Sequence, residues 1–586
     1  ILVTIIIVNL LLSWIWPSSV LRADELIVLY VMLSLTTTMA GCDMLQAVLS
    51  VLGHGFWFAT EENEWKELFW DHLPRWLTVS DRSVLHGYYT GDSNLYLPHH
   101  LKVWIPVLLG WLFLFFTLAI IFLCLNTILR RQWADRERLT FPIIQLPLEM
   151  TNSSSVFFRN KRMWLGIGIA SSIGLLNGLS VIYPSLPSLP ITRRSFSFSE
   201  LPLSLYGGIT VAFYPFAIGI MFLMPIDVLF STALFYFLYR NEVALAEAMG
   251  WRGLPKFPYL DQQTFGAFVG LCIFFIWIGK HHFRQVLASG LRQPTGIDDM
   301  NQPIRYQTAF WGLCGGLFLF AFALYKAGMT FWIAIIFAVL FLITPIITTR
   351  IRAESGIFVH AYHWLAPRYA LGTILGTRRL GPQNLTVLSV CFFNRDYRPQ
   401  QMPHQLEALK IAETTGISQK RMMWAILIST AIGILVAFWV QLHMYYQKGA
   451  NSGYFGPWAL GYGREYFRRL TNWISYPTNT DWVGVLFMGI GFFIMMILTY
   501  LRVKFFWLPL HPLGYVMASN QEMSDLWAPI LICLALKWTI LKHGGIRSYR
   551  HAVPFFLGLV LGDYLMGIVW SLLSVLLNAE MYQFYP

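Results

Sequence analysis

The sequence predicts an all-α, polytopic integral membrane protein, and three observations carry that prediction. Apolar runs recur along the whole 586-residue chain, each near the roughly 20 residues that a helix needs to cross a hydrocarbon core of about 30 Å. Charged residues make up only 12% of the chain and hydrophobic ones 56%, where ordinary soluble domains carry roughly 25% charge. Proline and polar residues interrupt several of the runs, so part of the chain must be broken or re-entrant helix. At the usual span length this gives about 12 to 14 spans.

In chain order, residues 1–16 are apolar and read as the rest of a first span; they have no basic stretch or A-x-A site of a signal peptide. The second apolar stretch contains Thr36-Thr37-Thr38-Met39-Ala40-Gly41-Cys42-Asp43, small and hydroxyl residues that permit either close helix packing or a kink at a cavity. Residues 103–129 hold no charge and end at Arg130 and Arg131; LTFPIIQLPLEM (139–150) follows as a candidate broken element. After the span 164–183, the stretch 208–239 is interrupted at Tyr214-Pro215 and at Met224-Pro225-Ile226-Asp227. Further spans are read at 306–325, 329–349, 422–440, 482–501 and 551–577. Between the last two, 505–541 consists of two short apolar arms around the polar SNQEMSD. Basic residues flank both outer ends, so it reads either as a hairpin that enters and returns or as two tight full spans.

Loop charge sets the orientation. Arg130, Arg131, Lys161, Arg162, Arg350, Arg352, Arg502 and Lys504 all lie at span ends that the positive-inside rule places in the cytoplasm. The formal charge of +12 then belongs to cytoplasmic loops and not to a nucleic-acid-binding domain. The segments 60–102 and 447–481 fall outside and are rich in Trp and Tyr, which suits an interfacial aromatic belt that includes Trp57, Trp65, Trp70, Trp76, Trp104, Trp473 and Trp482. The segment 402–421 reads as an amphipathic cytoplasmic helix lying on the membrane, on neighbouring spans or on a partner, through Leu406, Leu409 and Ile411.

Two local similarities suggest a duplication. Arg22-Ala23-Asp24-Glu25 and Arg352-Ala353-Glu354-Ser355 each open an apolar segment. The span 103–129 followed by 139–150 parallels the span 482–501 followed by WLPLHPLGYVMA (507–518). We therefore divide the chain into transmembrane halves 1–350 and 351–586, with outer loops 60–102 and 447–481 and the candidate re-entrant hairpin 505–541. Duplicated halves with a site between them are the common build of secondary transporters.

Ionisable groups within spans cost several kcal/mol, roughly 2.5–3.5 on insertion scales, and are functional candidates for that reason. Here they are Asp43, Asp227, Asp563, Glu149 and Glu354, with His511 in the hairpin arm; each acid could bind a coupling proton or a cationic group of a solute. Simpler roles stand beside these. Asp227 could be the first-turn carboxylate of a helix that resumes after Pro225, and Glu354 could pair with Arg350 or Arg352. His360 and His363 share a face if 356–376 is helical, but no third ligand is apparent, so no metal site is expected. The six cysteines form no CxxC and read as buried thiols. No Walker loop, nucleophile elbow, HExxH or dinucleotide fingerprint is found. The expectation is therefore a non-enzyme without a cofactor.

The order of long span, charged residues and Leu139-Thr140-Phe141-Pro142 resembles the leucine–aromatic–proline opening of the oligopeptide transporter superfamily, although IIQLPLEM then departs from its small-residue helix. Pro509 to Met517, Trp527-Ala528-Pro529, Pro554 to Gly558 and Gly562-Asp563 are similar to its C-terminal region. That resemblance implies two inverted repeats and proton-coupled uptake of peptides or metal chelates. Over nearly its whole length the chain also resembles an uncharacterised bacterial multi-spanning family of unknown function. The matching residues are FWFATEENEWKELFW (56–70), Arg131-Gln132-Trp133, Leu146-Pro147-Leu148-Glu149, MPHQLE (402–407) and FFLGL (555–559). The resulting expectation is a secondary transporter of a small solute in a bacterial inner membrane. The alternative is a non-transporting subunit that docks membrane partners, or further copies of itself, through its outer loops.

Overall fold

The computed structural model describes residues 1–151, 157–251, 253–254, 256–293, 299, 301–391, 393, 399–456, 458–505 and 507–585. Helix dominates, and nine helices among the described residues are long and apolar enough to cross a membrane. The last of these, 55 residues long, folds back at Gly545, where φ is 61° and ψ −168°. The expected 12 to 14 spans include broken and re-entrant helices, whereas these nine are only the long ones, with the two arms about Gly545 taken as one.

The chain opens with α1 (Leu2–Ile15) and α2 (Ala23–Ala40), which passes through a π-turn at Cys42–Gln46 into α3 (Ala47–Leu52). Helix α4 (His54–Trp57) ends this apolar stretch, and the segment 60–102 holds α5 (Trp65–Phe69) and α6 (Arg82–Thr90) and leads into the long α7 (Pro98–Arg130). A short α8 (Gln145–Thr151), α9 (Lys161–Ile182), an antiparallel pair β1 (Arg194–Phe196) and β2 (Ile209–Val211), and a short α10 (Pro215–Met221) follow. Next come α11 (Ile226–Ala248), α12 (Leu260–Ile278), α13 (Lys280–Gly290), α14 (Tyr306–Lys326) and α15 (Phe331–Ser355). Residues 356–362 are not helical, so His360 and His363 do not share a helical face. Gly356, with φ 72°, ends α15 in the left-handed conformation that glycine tolerates best. The chain continues through α16 (Pro367–Leu375), α17 (Thr377–Val390), α18 (Gln401–Thr415), α19 (Gln419–Lys448) and α20 (Trp458–Ser475). It ends with α21 (Trp482–Lys504), α22 (Pro512–Ala518) and α23 (Met523–Leu577), whose arms before and after Gly545 we call α23a and α23b.

Two apolar cores result. One gathers α2, α3, α6, α7, α14 and α17–α20; the other gathers α10–α12 and α21–α23. Helix α15 joins them, with Phe337 and Phe341 in the first and Ile347 and Ile351 in the second. The segments 60–102 and 447–481 close over the first core instead of forming open loops. Phe467 stacks on His54 and Phe69 at 5.7 and 5.4 Å, and Trp104 donates to the Tyr446 hydroxyl at 2.9 Å. Trp65 and Trp104 are therefore core residues and not belt residues, whereas Trp482 is 75% exposed. The surface helix expected at 402–421 is likewise corrected. Leu406, Leu409 and Ile411 are buried, but so are Gln401, Gln405 and Glu407, because α18 packs against α2, α7, α15 and α19. Its polar face meets polar groups of those helices.

The second core has an internal pseudo-symmetry. Helix α9 packs along α23b and α12 along α21, both pairs parallel. The short helices cross between the two sets, α10 packing against α23 and α22 against α11. Exchanging α9, α10, α11 and α12 for α21, α22, α23a and α23b maps each contact onto another. Each short helix has seven residues with proline at its first position, and four residues separate it from the long arm that follows. The first turn of each long arm carries an acid paired with an arginine of the other set or of the chain leading to it: Asp227 with Arg502 at 2.7 Å and Asp525 with Arg193 at 3.6 Å. This places the counterpart of α22 at α10, and not at 139–150 as the sequence similarity suggested. The chain between α9 and α10 separates that short helix from its span and hides the match.

Glycines set both long parallel contacts. A Cβ at Gly166 would lie 2.2 Å from the Phe555 carbonyl oxygen, and one at Gly491 would lie 1.9 Å from that of Gln263. Gly168 and Gly489, two residues away on the same helices, face open space. Alanine is favoured over glycine in a helix by roughly 0.5–1 kcal/mol where nothing is in its way. Gly168→Ala and Gly489→Ala are therefore expected to raise the melting temperature of the purified protein slightly, and Gly166→Ala and Gly491→Ala to lower it.

Candidate functional site

The last turns of α15 carry Arg350, Arg352 and Glu354 into the protein interior. Their alternation with Ile351 and Ala353 sends polar groups to more than one side of the helix. Arg350 and Glu354 are four apart and pair at 2.9 Å. Arg350 also pairs with Glu137 beyond the end of α7, and its guanidinium lies 4.7 and 5.6 Å from the Phe275 and Trp133 ring centres. Glu354 reaches His511, at the start of α22, at 3.0 Å. The Leu513 amide donates to His511 Nδ1 at 3.1 Å, so the ring proton sits on Nε2 and points at Glu354. His511 thus caps α22 and ties it to α15 in one tautomer.

Arg352 leaves α15 in another direction. Its Nε and Nη2 meet both oxygens of Glu407 on α18, at 2.7 and 3.1 Å, a bidentate pair. Nη2 also approaches His404 Nδ1 at 3.4 Å. Burial, followed by the charges of Arg352 and His360, holds the His404 imidazole well below its ordinary pKa, and the neutral ring can accept from the arginine. Both arginines at the end of α15 are thus internal ion-pair partners and not loop charges. So is Arg130, which pairs with Glu413.

Next to Arg352 is a cavity of about 490 Å³, within the roughly 300–1,000 Å³ typical of small-molecule sites. Its walls come from α1, α2, α8, α10, α23b and the irregular chain at Phe358. Most of the lining is apolar, such as Leu223, Leu557 and Leu561; Tyr30, Ser34, Tyr564 and Arg352 bring the polar groups. The irregular chain is held by its neighbours. Asn520 donates to the Val359 carbonyl at 2.8 Å, and the Gln521 amide donates to that of Ala361 at 3.2 Å. Unwound chain inside a helical bundle, satisfied by protein, is where transporter sites are commonly built.

Of the residues singled out from the sequence, only Glu354 and His511 meet. Asp563 is 1% exposed and accepts from the Phe216 amide at 3.1 Å, capping α10 from α23b; its Oδ1 has no hydrogen-bond partner among the described residues. Asp227 takes the helix-start role, bonded to the Val228 amide and to Arg502. Glu149 is exposed on α8. Asp43 falls in the π-turn, and its side chain lies outside the described residues. Asp227 and Asp563 thus serve the starts of different helices, α11 and α10. Among the described residues no group of three His, Cys, Asp or Glu could hold a metal.

Sequence reasoning missed Arg352, His404 and Glu407 as a unit, because 402–407 carried the pattern of a surface helix. It also missed Lys537, a single cation in the apolar arm ICLALKWTI. Lys537 is buried and donates to the Phe222 and Met224 carbonyls at 3.0 and 2.5 Å, where α10 breaks. A lone lysine beside a proline-broken partner was the available signal.

Residues 1–586 match the model of a family of unknown function (DUF6785), and the chain belongs to that family. No curated protein matches it.

Removing one partner of a buried ion pair costs about 3–5 kcal/mol because the other charge is left uncompensated. Arg350→Met strands Glu137 and Glu354 together. Its unfolding midpoint in detergent is expected to drop far below that of the wild type, and Arg350→Met/Glu137→Gln/Glu354→Gln to recover most of the loss.

Proposed function

We propose that this chain is a secondary transporter of a small solute, driven by a proton or ion gradient, in a bacterial inner membrane. The observation that carries the reading is the crossed pair of hairpins, α10–α11 and α22–α23a, each with a broken arm braced by the other set. Two inverted units that share an interface can rock against each other and expose a site to either side in turn. The cavity beside Arg352 touches α10 of the first hairpin, the span α23b that follows the second, α2 of the other core and α15, which joins the two. A solute there would contact both moving and stationary parts. The resemblance to the oligopeptide transporter superfamily supports peptides or metal chelates as solutes and protons as the coupling ion. Within this reading Glu354, hydrogen-bonded to His511 and shared with Arg350, and Asp563, with one oxygen unpartnered, are the groups whose charge a coupling proton would change.

The aromatic cap formed by α4–α6 and α20 favours a second reading. A non-transporting subunit would use such a rigid outer surface to hold a partner or a further copy of the chain.

The test is proton flux into proteoliposomes that enclose a pH-sensitive dye, with peptides, metal chelates and organic anions offered outside. The transporter reading expects solute-dependent proton entry, lost in Glu354→Gln while the protein remains monodisperse. Normal gradient-driven accumulation with Asp563→Asn would remove that residue from coupling. Absence of flux with every solute, together with a stoichiometric protein partner bound to the outer cap, would favour the subunit reading.

A further inference from the structure

The cavity has a polarity that points to one class of occupant. Its walls are mostly hydrocarbon, with Ile1 at one edge, and Arg352 is its one lining residue with a charged side chain. Arg352 is only 9% exposed. Its Nε and Nη2 are taken by Glu407, and among the described residues Nη1 has no partner. Tyr30, Ser34 and Tyr564 supply hydroxyls to the same space. Glu407 and His404 line a small void of about 20 Å³ that also touches Tyr30 and Ser34, so the ion pair lies between that void and the large cavity.

We propose that this cavity binds an amphiphilic carboxylate, its apolar body among Leu223, Leu557 and Leu561 and its carboxylate on Arg352, and that Glu407 takes up one proton as it binds. This rests on the transporter reading for its purpose, but the binding step stands alone. A planar guanidinium offers a carboxylate two parallel N–H donors, and here those donors are held by Glu407. A second carboxylate beside them meets like-charge repulsion in a poorly solvated site, which is relieved when one of the two anions is protonated. The N–H bonds then pass from Glu407 to the ligand, and a proton from water settles on a Glu407 oxygen. One anion and one proton enter together, and the site gains no net charge.

The groups that face Glu407 fit this exchange. Arg352 comes from α15, Tyr30 from α2, His404 from its own helix and Tyr564 from α23b, with His360 near His404. His404 accepts from Arg352, and protonating it would set two cations side by side. Glu407 is the only carboxylate in that set.

The experiment is calorimetric titration of the full chain in zwitterionic nanodiscs with octanoate, octanamide and octyl phosphate, repeated in buffers of different ionisation enthalpy. The wild type is expected to bind octanoate with uptake of about one proton and to lose roughly tenfold in affinity per pH unit at high pH. Octanamide is expected to bind at least tenfold more weakly. Glu407→Gln should bind octanoate with no proton uptake and a flat pH profile. Arg352→Gln/Glu407→Gln, which leaves no buried charge unpaired, should remain folded and fail to bind; Arg352→Lys should bind more weakly than the wild type. Undiminished binding to the double variant, proton uptake that survives Glu407→Gln, or a preference for octyl phosphate, which would mark a phospholipid groove, would overturn the proposal. Binding without proteoliposome flux would leave this inference standing and remove the transporter reading; flux without binding would do the reverse.

Discussion

The structure depends on one constraint: main-chain N–H and C=O groups away from water must be paired. Long helices meet it within themselves, but α10, α22 and the chain at 356–362 cannot. Their ends are satisfied by side chains and backbone from elsewhere in the fold. Asp563 accepts from the start of α10 and Lys537 donates to its end, both from α23. Ser231 of α11 accepts from the His511 amide and donates to the Pro509 carbonyl before α22. Asn520 and Gln521 hold the irregular chain. The two units are thus bound by obligatory hydrogen bonds as well as by glycine-lined helix contacts, and each is incomplete without the other.

The same constraint explains the ionisable groups that look most functional in the sequence. Asp563 and Lys537 are charged side chains placed where broken helices leave backbone groups open. Asp227 and Asp525 compensate helix starts and meet arginines. A further group of buried charges lies at the end of α15, where Arg350 and Arg352 divide three carboxylates between them. Those pairs join the first core, through Glu137 and Glu407, to the second, through His511. A change of protonation there would alter contacts in both cores at once.

Membrane class, helical content and the existence of broken segments were legible because they follow from hydropathy and from proline. The breaks at Pro215 and Pro225 and the two arms of 505–541 lie where composition placed them. The pairing of repeats was not legible, since it rests on which helices meet and not on local similarity. Helix α18 was misread for a related reason. A polar face normally means water, but Gln401, Gln405 and Glu407 face polar groups inside the protein. The site was half legible: Glu354 and His511 stood out as ionisable groups in or near spans, whereas Arg352, adjoining a run of basic residues at a span end, carried the pattern of a topogenic charge.

Hairpins that enter from opposite faces and interlock must expose their tips to opposite sides of the membrane. The direct measurement is labelling of single cysteines in sealed vesicles with a membrane-impermeant maleimide, in a background with Cys314, the exposed one among the described cysteines, and Cys42 replaced by Ser. Lys504 and Lys542 flank the second hairpin, and Gln521 lies exposed at its tip. The account predicts that cysteines at 504 and 542 are labelled only from the cytoplasmic face and a cysteine at 521 only from the outer face. Labelling of all three from the same face would contradict it.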